Sequence, residues 1–358
     1  MILSHLLTIH KDGINRASAE ILARCRELKN HLLKNSINTE LHAIICNSNV
    51  SLWNSSKLSN ELGIYGVDKI WITKKGNICD QNKALIKYIA SAQKEATKKY
   101  NIPSLLVMES NELVKDILGG LAIHINASVI SDVIKFGFSD NNFTPRKDKS
   151  LYIRATRPVM TSKALADVKV IDKQIIISLR PGSYNLPDVN DLETVPKKVE
   201  IEYMNDRLHS PNNKISLKNQ IKQVINATED FIDLNEARII VAAGRGIKDQ
   251  NGKTLIANLA EVLNAGIAAS RALTQSGIYD SSVLVGQSGK VVSPQLYLAV
   301  GISGSVQHIS GILNSKMIIA INKDKNAPIF DIADYGIVGD LNKVIPILID
   351  EIKKIKSK

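Results

Sequence analysis

Short apolar runs rich in β-branched residues alternate with longer helical patterns along the first half of the chain. The helical stretches 17–33, 82–99 and 112–118 carry apolar residues at three- and four-residue spacing, which gives each helix one apolar face. Such alternation is typical of βαβ units, in which successive strands run parallel. The sequence therefore predicts an α/β fold with a parallel sheet. The candidate strands are residues 6–10, 43–46, 69–73, 104–108, 151–155 and 175–179.

A segment rich in Pro, Asn, Asp and Ser, residues 181–216, interrupts this alternation. The chain of 358 residues is too long for one hydrophobic core, because such cores stop growing at about 250–300 residues. We therefore predict two domains, residues 1–212 and 213–358. The second domain is predicted to contain a helix at 217–231, strands at 238–242, 266–269, 296–300 and 317–321, and a closing helix at 341–354.

The composition is that of a soluble globular protein, with 44% hydrophobic residues, 23% charged residues and a mean hydropathy of −0.03. No apolar run approaches the roughly 18 residues that a membrane-spanning helix needs, so no membrane span is expected. The apolar start, residues 1–10, lacks the basic region and cleavage site of a signal peptide, and it is not rich in Arg and Ser as a mitochondrial transit peptide is. Cys25, Cys46 and Cys79 show neither disulfide nor zinc spacing, which predicts structural thiols in a reducing compartment and no metal site.

The formal net charge of +11 could indicate a nucleic-acid ligand, since clustered Lys and Arg bind phosphates. The basic residues are scattered, however, and the densest groups, at 146–149, 197–198 and 353–358, are not interleaved with aromatic residues. A solvated, lysine-rich surface is the preferred interpretation, and no nucleic acid is expected as a partner.

A candidate phosphate loop follows the predicted strand at 238–242. The strand leads into Gly244, Arg245 and Gly246, and glycines at the carboxyl end of a strand let backbone N–H groups approach an anion. The dinucleotide pattern G-x-G-x-x-G fails, because Asp249 stands at its last position. The residues Gly252-Lys253-Thr254 imitate the end of a P-loop, but Gly246 precedes Gly252 by six residues where the motif requires five. Because the P-loop spacing is wrong by one residue, an ATP-binding or ATP-hydrolysing enzyme is kept only as the alternative function.

Two further glycine loops lie within the same part of the chain. Residues 286–290 (GQSGK) follow an apolar run, and residues 301–308 (GISGSVQH) join the strand at 296–300 to a helical pattern. A small-residue turn between strand and helix favours anions, since free N–H groups point at one spot. Three such loops in close succession favour one extended ligand over three unrelated turns.

The sequences of these loops resemble the alpha subunits of electron-transfer flavoproteins. The resemblance is close over residues 237–348 and looser in the first half, at 66–69, 130–133, 156–158 and 179–184. In the family's order, the matching blocks are 244–246 (GRG), 269–271 (ASR), 285–290 (VGQSGK), 294–308 (PQLYLAVGISGSVQH), 320–324 (AINKD), 327–330 (APIF) and 333–341 (ADYGIVGDL).

The resemblance implies an N-terminal nucleotide-hydrolase-like domain that contacts a beta subunit, and a C-terminal doubly wound, flavodoxin- or Rossmann-like domain that binds FAD. It implies that Arg271 lies over the flavin ring near N5, that Ser288 bonds to N5, and that His308 reaches the carbonyl O2. A permanent positive charge and hydrogen bonds at these atoms favour an anionic semiquinone. Most relatives have Thr where Ser288 stands, so the hydroxyl is retained and a methyl group is lost.

The resemblance assigns the rest of the cofactor site in the same way. The ribityl and pyrophosphate part is expected at Gly286, Gln287, Ser303, Gly304 and Ser305, with Arg245 and Ser270 close by. Asn322, Asp340 and Leu341 are expected at the adenosine end, and Val285, Val306 and Gln307 complete the site. No catalytic residue and no metal ligand is expected.

The implied function is that of an electron carrier without substrate turnover of its own. It would work as a heterodimer with a beta subunit that holds AMP or a second FAD. It would accept electrons from dehydrogenases, such as the acyl-CoA dehydrogenases of fatty acid β-oxidation, and pass them to a quinone oxidoreductase or another acceptor. The expected location is cytoplasmic in a bacterium or the mitochondrial matrix in a eukaryote.

Overall fold

The computed structural model describes residues 1–7, 13–46, 55–73, 82–98, 102–138, 150–186, 198–204, 233–247 and 249–356. The chain divides into two compact units. Unit 1 consists of Met1–Val159 and Ala164–Val224, and unit 2 consists of Met160–Lys163 and Ile225–Lys358. The domain boundary predicted at residues 212 and 213, and the helix predicted at 217–231, lie outside the described residues.

Unit 1 contains a seven-stranded sheet in which all neighbouring strands run parallel. The strands of this unit are β1 (Ile2–Leu7), β2 (Glu40–Ile45), β3 (Lys69–Thr73), β4 (Ser104–Glu109), β5 (Ser128–Val133), β6 (Lys135–Phe138), β7 (Leu151–Val159), β8 (Ala164–Asp172), β9 (Gln174–Leu179) and β10 (Glu200–Met204). The order in the large sheet is β10-β3-β2-β1-β4-β9-β5. Every residue of β1 and β4 is buried, because helices cover both faces of the sheet.

The helices of unit 1 begin where the sequence offers a capping side chain. They are α1 (Arg16–Lys34), α2 (Ser55–Gly63), α3 (Asn82–Lys98) and α4 (Glu112–Ile125). Asn15 accepts a hydrogen bond from the Ser18 N–H at the start of α1, and Asn111 accepts one from the Val114 N–H at the start of α4. One apolar core includes Leu22 and Cys25 of α1, and a second core includes residues of α3 and α4.

Two strand predictions in unit 1 need correction. The first strand covers Ile2–Leu7 rather than 6–10, because Ser4 and His5 are buried in it although they break the apolar run; residues 8–10 lie outside the described part of the chain. The strand predicted at 151–155 is β7, but it belongs to a separate three-stranded antiparallel sheet, β6-β7-β8, and not to the parallel one. The alternation of buried and more exposed residues along β7 is the pattern of a strand covered on one face.

Unit 2 is a doubly wound parallel sheet with one reversal of strand order. Its strands are β11 (Ile239–Ala243), β12 (Gly266–Ala269), β13 (Leu296–Val300), β14 (Ile318–Asn322) and β15 (Tyr335–Val338), in the order β12-β11-β13-β14-β15. Its helices are α5 (Gln250–Leu263), α6 (Arg271–Gln275), α7 (Val306–Ile309) and α8 (Leu341–Lys356). This order is that of flavodoxin-like sheets, so the predicted fold class is confirmed.

The core of unit 2 lies on both faces of its sheet. On one face Ile256 and Leu259 of α5 pack with Ile345 and Ile349 of α8. The other face is covered by loops and short helices, in a cluster that includes Tyr297 of β13. The long helices α5 and α8 thus cover one face of the sheet, and loops and short helices cover the other.

Cys25 and Cys46 are buried free thiols, and burial raises the pKa of Cys25 to about 12. Cys79 lies outside the described residues. Among the helices of the described part of the chain, none has the length and apolar character needed to cross a bilayer.

Candidate functional site

The carboxyl ends of β11 and β13 are adjacent at the point where the strand order of unit 2 reverses. In open α/β sheets, ligands bind in the crevice at this position. The loops that leave the two strands pack backbone to backbone, since the Gly244 N–H donates to the Val300 carbonyl (2.8 Å) and the Gly246 N–H donates to the Gly301 carbonyl (3.1 Å). A Cβ at Gly244 would lie 2.2 Å from the Gly301 oxygen, so the position requires glycine.

A third loop, residues 285–290, closes against the start of α7. The Gln287 N–H donates to the Gln307 carbonyl (2.7 Å), and the Gly286 N–H donates to the Lys290 carbonyl (3.1 Å) within the loop. The three glycine loops identified in the sequence therefore meet at one edge of the unit 2 sheet. Their convergence supports a single extended ligand.

Two cavities at this edge share Arg245 and Ser303 as lining residues, so they are adjacent. The first has a volume of about 290 Å³ and the second about 580 Å³. Every predicted site residue except Val306 lines one of them. The first cavity is lined by Arg245, Ser270, Arg271, Val285, Gly286, Gln287, Ser288, Ser303, Gly304, Ser305, Gln307 and His308, and the second by Arg245, Ser303, Asn322, Asp340 and Leu341.

The first cavity combines two unpaired cations with unused hydroxyl groups. Arg245 and Arg271 are exposed, and neither guanidinium has a salt bridge or hydrogen bond within the described residues. Ser270 and Ser305 precede α6 and α7, but neither side chain caps its helix, and Ser270 Oγ is buried with no hydrogen-bond partner in the described structure. A polar anionic group would satisfy both kinds of side chain.

His308 forms the buried end of the first cavity. Its Nε2 lies 3.0 Å from the hydroxyl of Tyr297, and both side chains are buried. Burial lowers the pKa of His308 to about 4, and a hydrogen bond with the Val285 backbone opposes this shift. The ring is therefore neutral at physiological pH. Burial also raises the pKa of Tyr297, so its hydroxyl keeps its proton.

Asn322 stabilises the wall of the second cavity through its side-chain amide. Its Nδ2 donates to the Ile302 carbonyl (2.8 Å), and its Oδ1 accepts from the Asp324 N–H (3.0 Å). Asp340 is exposed at the rim of this cavity, and its Oδ1 accepts a hydrogen bond from the Asn342 N–H (2.9 Å). Asn322 thus orders the loop that follows β13, while Asp340 is placed to meet a ligand.

The P-loop-like residues Gly252, Lys253 and Thr254 form the first turn of α5. The Asp249 carboxylate caps this helix by accepting the Gly252 N–H at 2.9 Å, so a carboxylate stands where a P-loop holds phosphate. Lys253 Nζ lies 5.2 Å from the centre of the Tyr279 ring. This arrangement does not favour the ATP alternative.

Sequence reasoning missed Tyr297, because its place inside a strand is typical of a core residue. The cavities are also lined by residues that the cofactor assignment did not include: Gly246, Ile247, Asp249, Gly252, Ala272, Leu284, Gly301, Ile302, Ile321, Lys323, Asp324, Ala327, Gly339 and Asn342. Gly246 and Gly301 belong to two of the glycine loops that the sequence analysis identified as candidate anion sites. Tyr297 could not be identified without the contact to His308.

Comparisons with known proteins agree with this geometry. The family model described as "Electron transfer flavoprotein domain" matches residues 6–206, and the one described as "Electron transfer flavoprotein FAD-binding domain" matches residues 233–313. The chain is 34% identical to the electron transfer flavoprotein subunit alpha of Bacillus subtilis, over 84% of this chain and 86% of that one. It is 33% identical to the subunit alpha of Thermoanaerobacterium thermosaccharolyticum (94% and 93%) and 30% identical to protein FixB of Clostridium saccharobutylicum (96% and 94%).

Proposed function

The chain belongs to the family of electron transfer flavoprotein alpha subunits, and on that premise we propose that it is the FAD-carrying subunit of a heterodimeric electron carrier. The observation that carries the proposal is the meeting of nearly all predicted cofactor residues at two adjacent cavities of unit 2. Bound FAD supplies the reversible uptake and release of electrons. The chain's own residues hold it and set the electrostatic environment of its ring.

The residues present fit FAD on physical grounds. The guanidiniums of Arg245 and Arg271 have no partner of their own in the described structure, and the buried Ser270 Oγ lacks one as well. Gly304 has a φ of +85°, and a Cβ there would lie 2.3 Å from the Ile329 nitrogen, so the backbone of this loop is kept clear of side-chain atoms. The two adjacent cavities can hold a long ligand, and Arg245, which lines both, can pair with a charged group at the centre of that ligand.

The proposed roles divide the cleft into three parts. Arg271, Ser288 and His308 face the flavin ring. The backbone and hydroxyl groups of the first cavity, with Arg245, hold the ribityl and pyrophosphate part, and Asp340 with Leu341 holds the adenosine end. Asn322 acts at that end by ordering the loop it bonds to. The shared position of Arg245 in both cavities suits a group at the centre of an extended ligand.

The wider role is part of the same proposal. The protein pairs with a beta subunit, receives electrons from dehydrogenases such as those that act on acyl-CoA, and delivers them to a quinone oxidoreductase or another acceptor. It has no substrate turnover of its own. It works in the cytoplasm of a bacterium or in the mitochondrial matrix of a eukaryote.

Purification of the chain co-expressed with its beta partner tests the proposal directly. We expect an absorbance spectrum of bound flavin, and acid release followed by chromatography should give FAD. Near-equimolar FAD in the wild-type complex, with a marked loss in an Arg245→Glu variant, supports the assigned cleft. Arg238→Glu is the matched control, since Arg238 is exposed on unit 2, bonds to Gln295 and lines neither cavity. A colourless complex that hydrolyses ATP would contradict the proposal.

A further inference from the structure

A buried tyrosine contacts the site histidine from the sheet beneath it. Tyr297 lies in β13 and is fully buried, and its hydroxyl is 3.0 Å from Nε2 of His308, which lies in α7 at the wall of the first cavity. The two rings are tilted by 56° at a centroid separation of 6.1 Å, so they contact through the hydroxyl rather than by stacking. Tyr297 lines neither cavity, and its hydroxyl contacts the site through His308.

The direction of this hydrogen bond follows from counting the buried protons. Within the described structure, the Tyr297 hydroxyl has no hydrogen-bond partner other than His308. If Nε2 donated to it, the phenol proton would be buried without an acceptor, which is unfavourable. If the hydroxyl donates to Nε2 instead, no buried donor is left over. The phenol is therefore the donor, and Nε2 is the unprotonated nitrogen.

The second ring nitrogen is consistent with this assignment. His308 also has a hydrogen bond with the Val285 backbone, which raises the His308 pKa as a carbonyl acceptor does. Because Tyr297 occupies Nε2, this second bond belongs to Nδ1, and a carbonyl acceptor requires a proton there. Both bonds thus select the same neutral tautomer of the ring.

We propose that Tyr297 is a positioning residue that holds His308 as the Nδ1–H tautomer with its ring fixed at the cavity wall. The inference deepens the proposed function and rests on it for the identity of the ligand that the ring faces. In this tautomer Nε2 has no proton to donate to a ligand, and the one N–H of the ring, at Nδ1, bonds to the Val285 backbone. The permanent positive charge of the site then comes from the guanidiniums of Arg245 and Arg271, and not from His308.

Nuclear magnetic resonance of the full-length chain labelled with ¹⁵N-histidine tests the proposal. At pH 7.5, the ring nitrogens of His308 should show the couplings of an Nδ1–H imidazole, with the signals assigned by their loss in His308→Asn. Tyr297→Phe removes only the hydroxyl, and we expect the ratio of the Nδ1–H to the Nε2–H form to fall by about tenfold, since one of the two bonds that select the tautomer is lost. Tyr279→Phe is the matched control, because the Tyr279 hydroxyl is buried in unit 2 with no partner in the described structure.

An Nε2–H imidazole in the wild type, or an unchanged ratio in Tyr297→Phe, overturns the proposal. Should Tyr297→Phe fail to fold, the wild-type spectrum decides alone. The measurement does not need bound flavin, so the two ideas fail separately. Nδ1–H imidazole in a chain that never binds FAD supports the positioning role and refutes the proposed function. A protein with a full content of FAD and an Nε2–H imidazole at His308 supports the proposed function and refutes the positioning role.

Discussion

At the scale of single residues, charge and hydroxyl placement in the cleft determine what the protein can do to a bound ring. Arg271 and Ser288 were predicted only through the resemblance of their sequence blocks, 269–271 and 285–290, to those of electron-transfer flavoprotein alpha subunits. Tyr297 was not, since a tyrosine between Leu296 and Leu298 in a strand has the pattern of core filling. Only the fold shows that its hydroxyl meets His308. A side chain that contacts a site residue without lining the cavity, as Tyr297 does, has no local sequence pattern that identifies it.

Replacing Arg271 with Gln should lower the reduction potential of the bound flavin. A fixed positive charge favours the electron-rich ring, and Arg271 is exposed, so solvent weakens its effect to about 1 kcal/mol. For a one-electron couple this corresponds to roughly 40 mV. A spectroelectrochemical titration of the complex measures the shift, with Arg238→Gln as the control. An unchanged potential with FAD still bound would refute the role assigned to Arg271.

At the scale of elements, most of the parallel strands and several of the long helices were predictable, because apolar runs and apolar periodicity indicate them. The parallel strands β5, β10 and β15 and the helices α2 and α5 were not predicted. The strands predicted at 266–269 and 296–300 coincide with β12 and β13, and the helix predicted at 341–354 is α8. The antiparallel sheet of β6, β7 and β8 was not predicted. Its strands pair across a hairpin, and their register depends on partners that a single strand pattern does not reveal.

Two adjacent glycines of α4 should respond differently to alanine. Glycine inside a helix costs roughly 0.5–1 kcal/mol relative to alanine. A Cβ at Gly119 would meet nothing within 4 Å, whereas one at Gly120 would lie 2.7 Å from Ile86 Cδ1. We expect Gly119→Ala to raise the free energy of unfolding of unit 1 by about that amount, and Gly120→Ala to give a smaller gain or a loss. Urea unfolding followed by tryptophan fluorescence reports on unit 1, which contains Trp53 and Trp71; equal gains in the two variants would contradict the packing of α3 on α4.

The loop that carries Ser303, Gly304 and Ser305 should not tolerate a side chain at its centre. Alanine at Gly304 would place a Cβ 2.3 Å from the Ile329 nitrogen, so the loop or the Ile329 turn must move. We expect Gly304→Ala to lose most of its FAD. Gly277→Ala is the control, since Gly277 has a similar φ of +73° but open space around it. That variant should keep its FAD and lose only about 1 kcal/mol of stability, and equal FAD contents would show that the contact does not matter.

At the scale of the whole molecule, the two units differ in how far the sequence explains them. In unit 2 the fold places the ligand loops at the reversal of strand order, so the motifs and the topology give the same site. In unit 1 the sequence predicts the sheet but no chemistry, and its buried polar groups, such as Glu20 and Glu109, bond to the Gly182 N–H and to Asn15. Those bonds use carboxylates to join elements that are far apart in the chain.

Each unit also contains a buried neutral histidine, which makes the molecule sensitive to acid. Burial lowers the pKa of His5 and of His308 to about 4, from an ordinary value of 6.5. The unfolded chain therefore binds more protons than the folded chain between pH 6.5 and 4, and stability that is present above pH 6.5 is lost as the pH falls through this range. For each histidine the loss is on the order of 3 kcal/mol. In unit 1, urea unfolding followed by tryptophan fluorescence should show this pH slope. We expect His5→Phe to make the slope shallower by the His5 contribution, whereas the contribution of His42, whose pKa burial also lowers, should stay. A wild-type slope that persists unchanged in His5→Phe would assign the acid sensitivity to other groups.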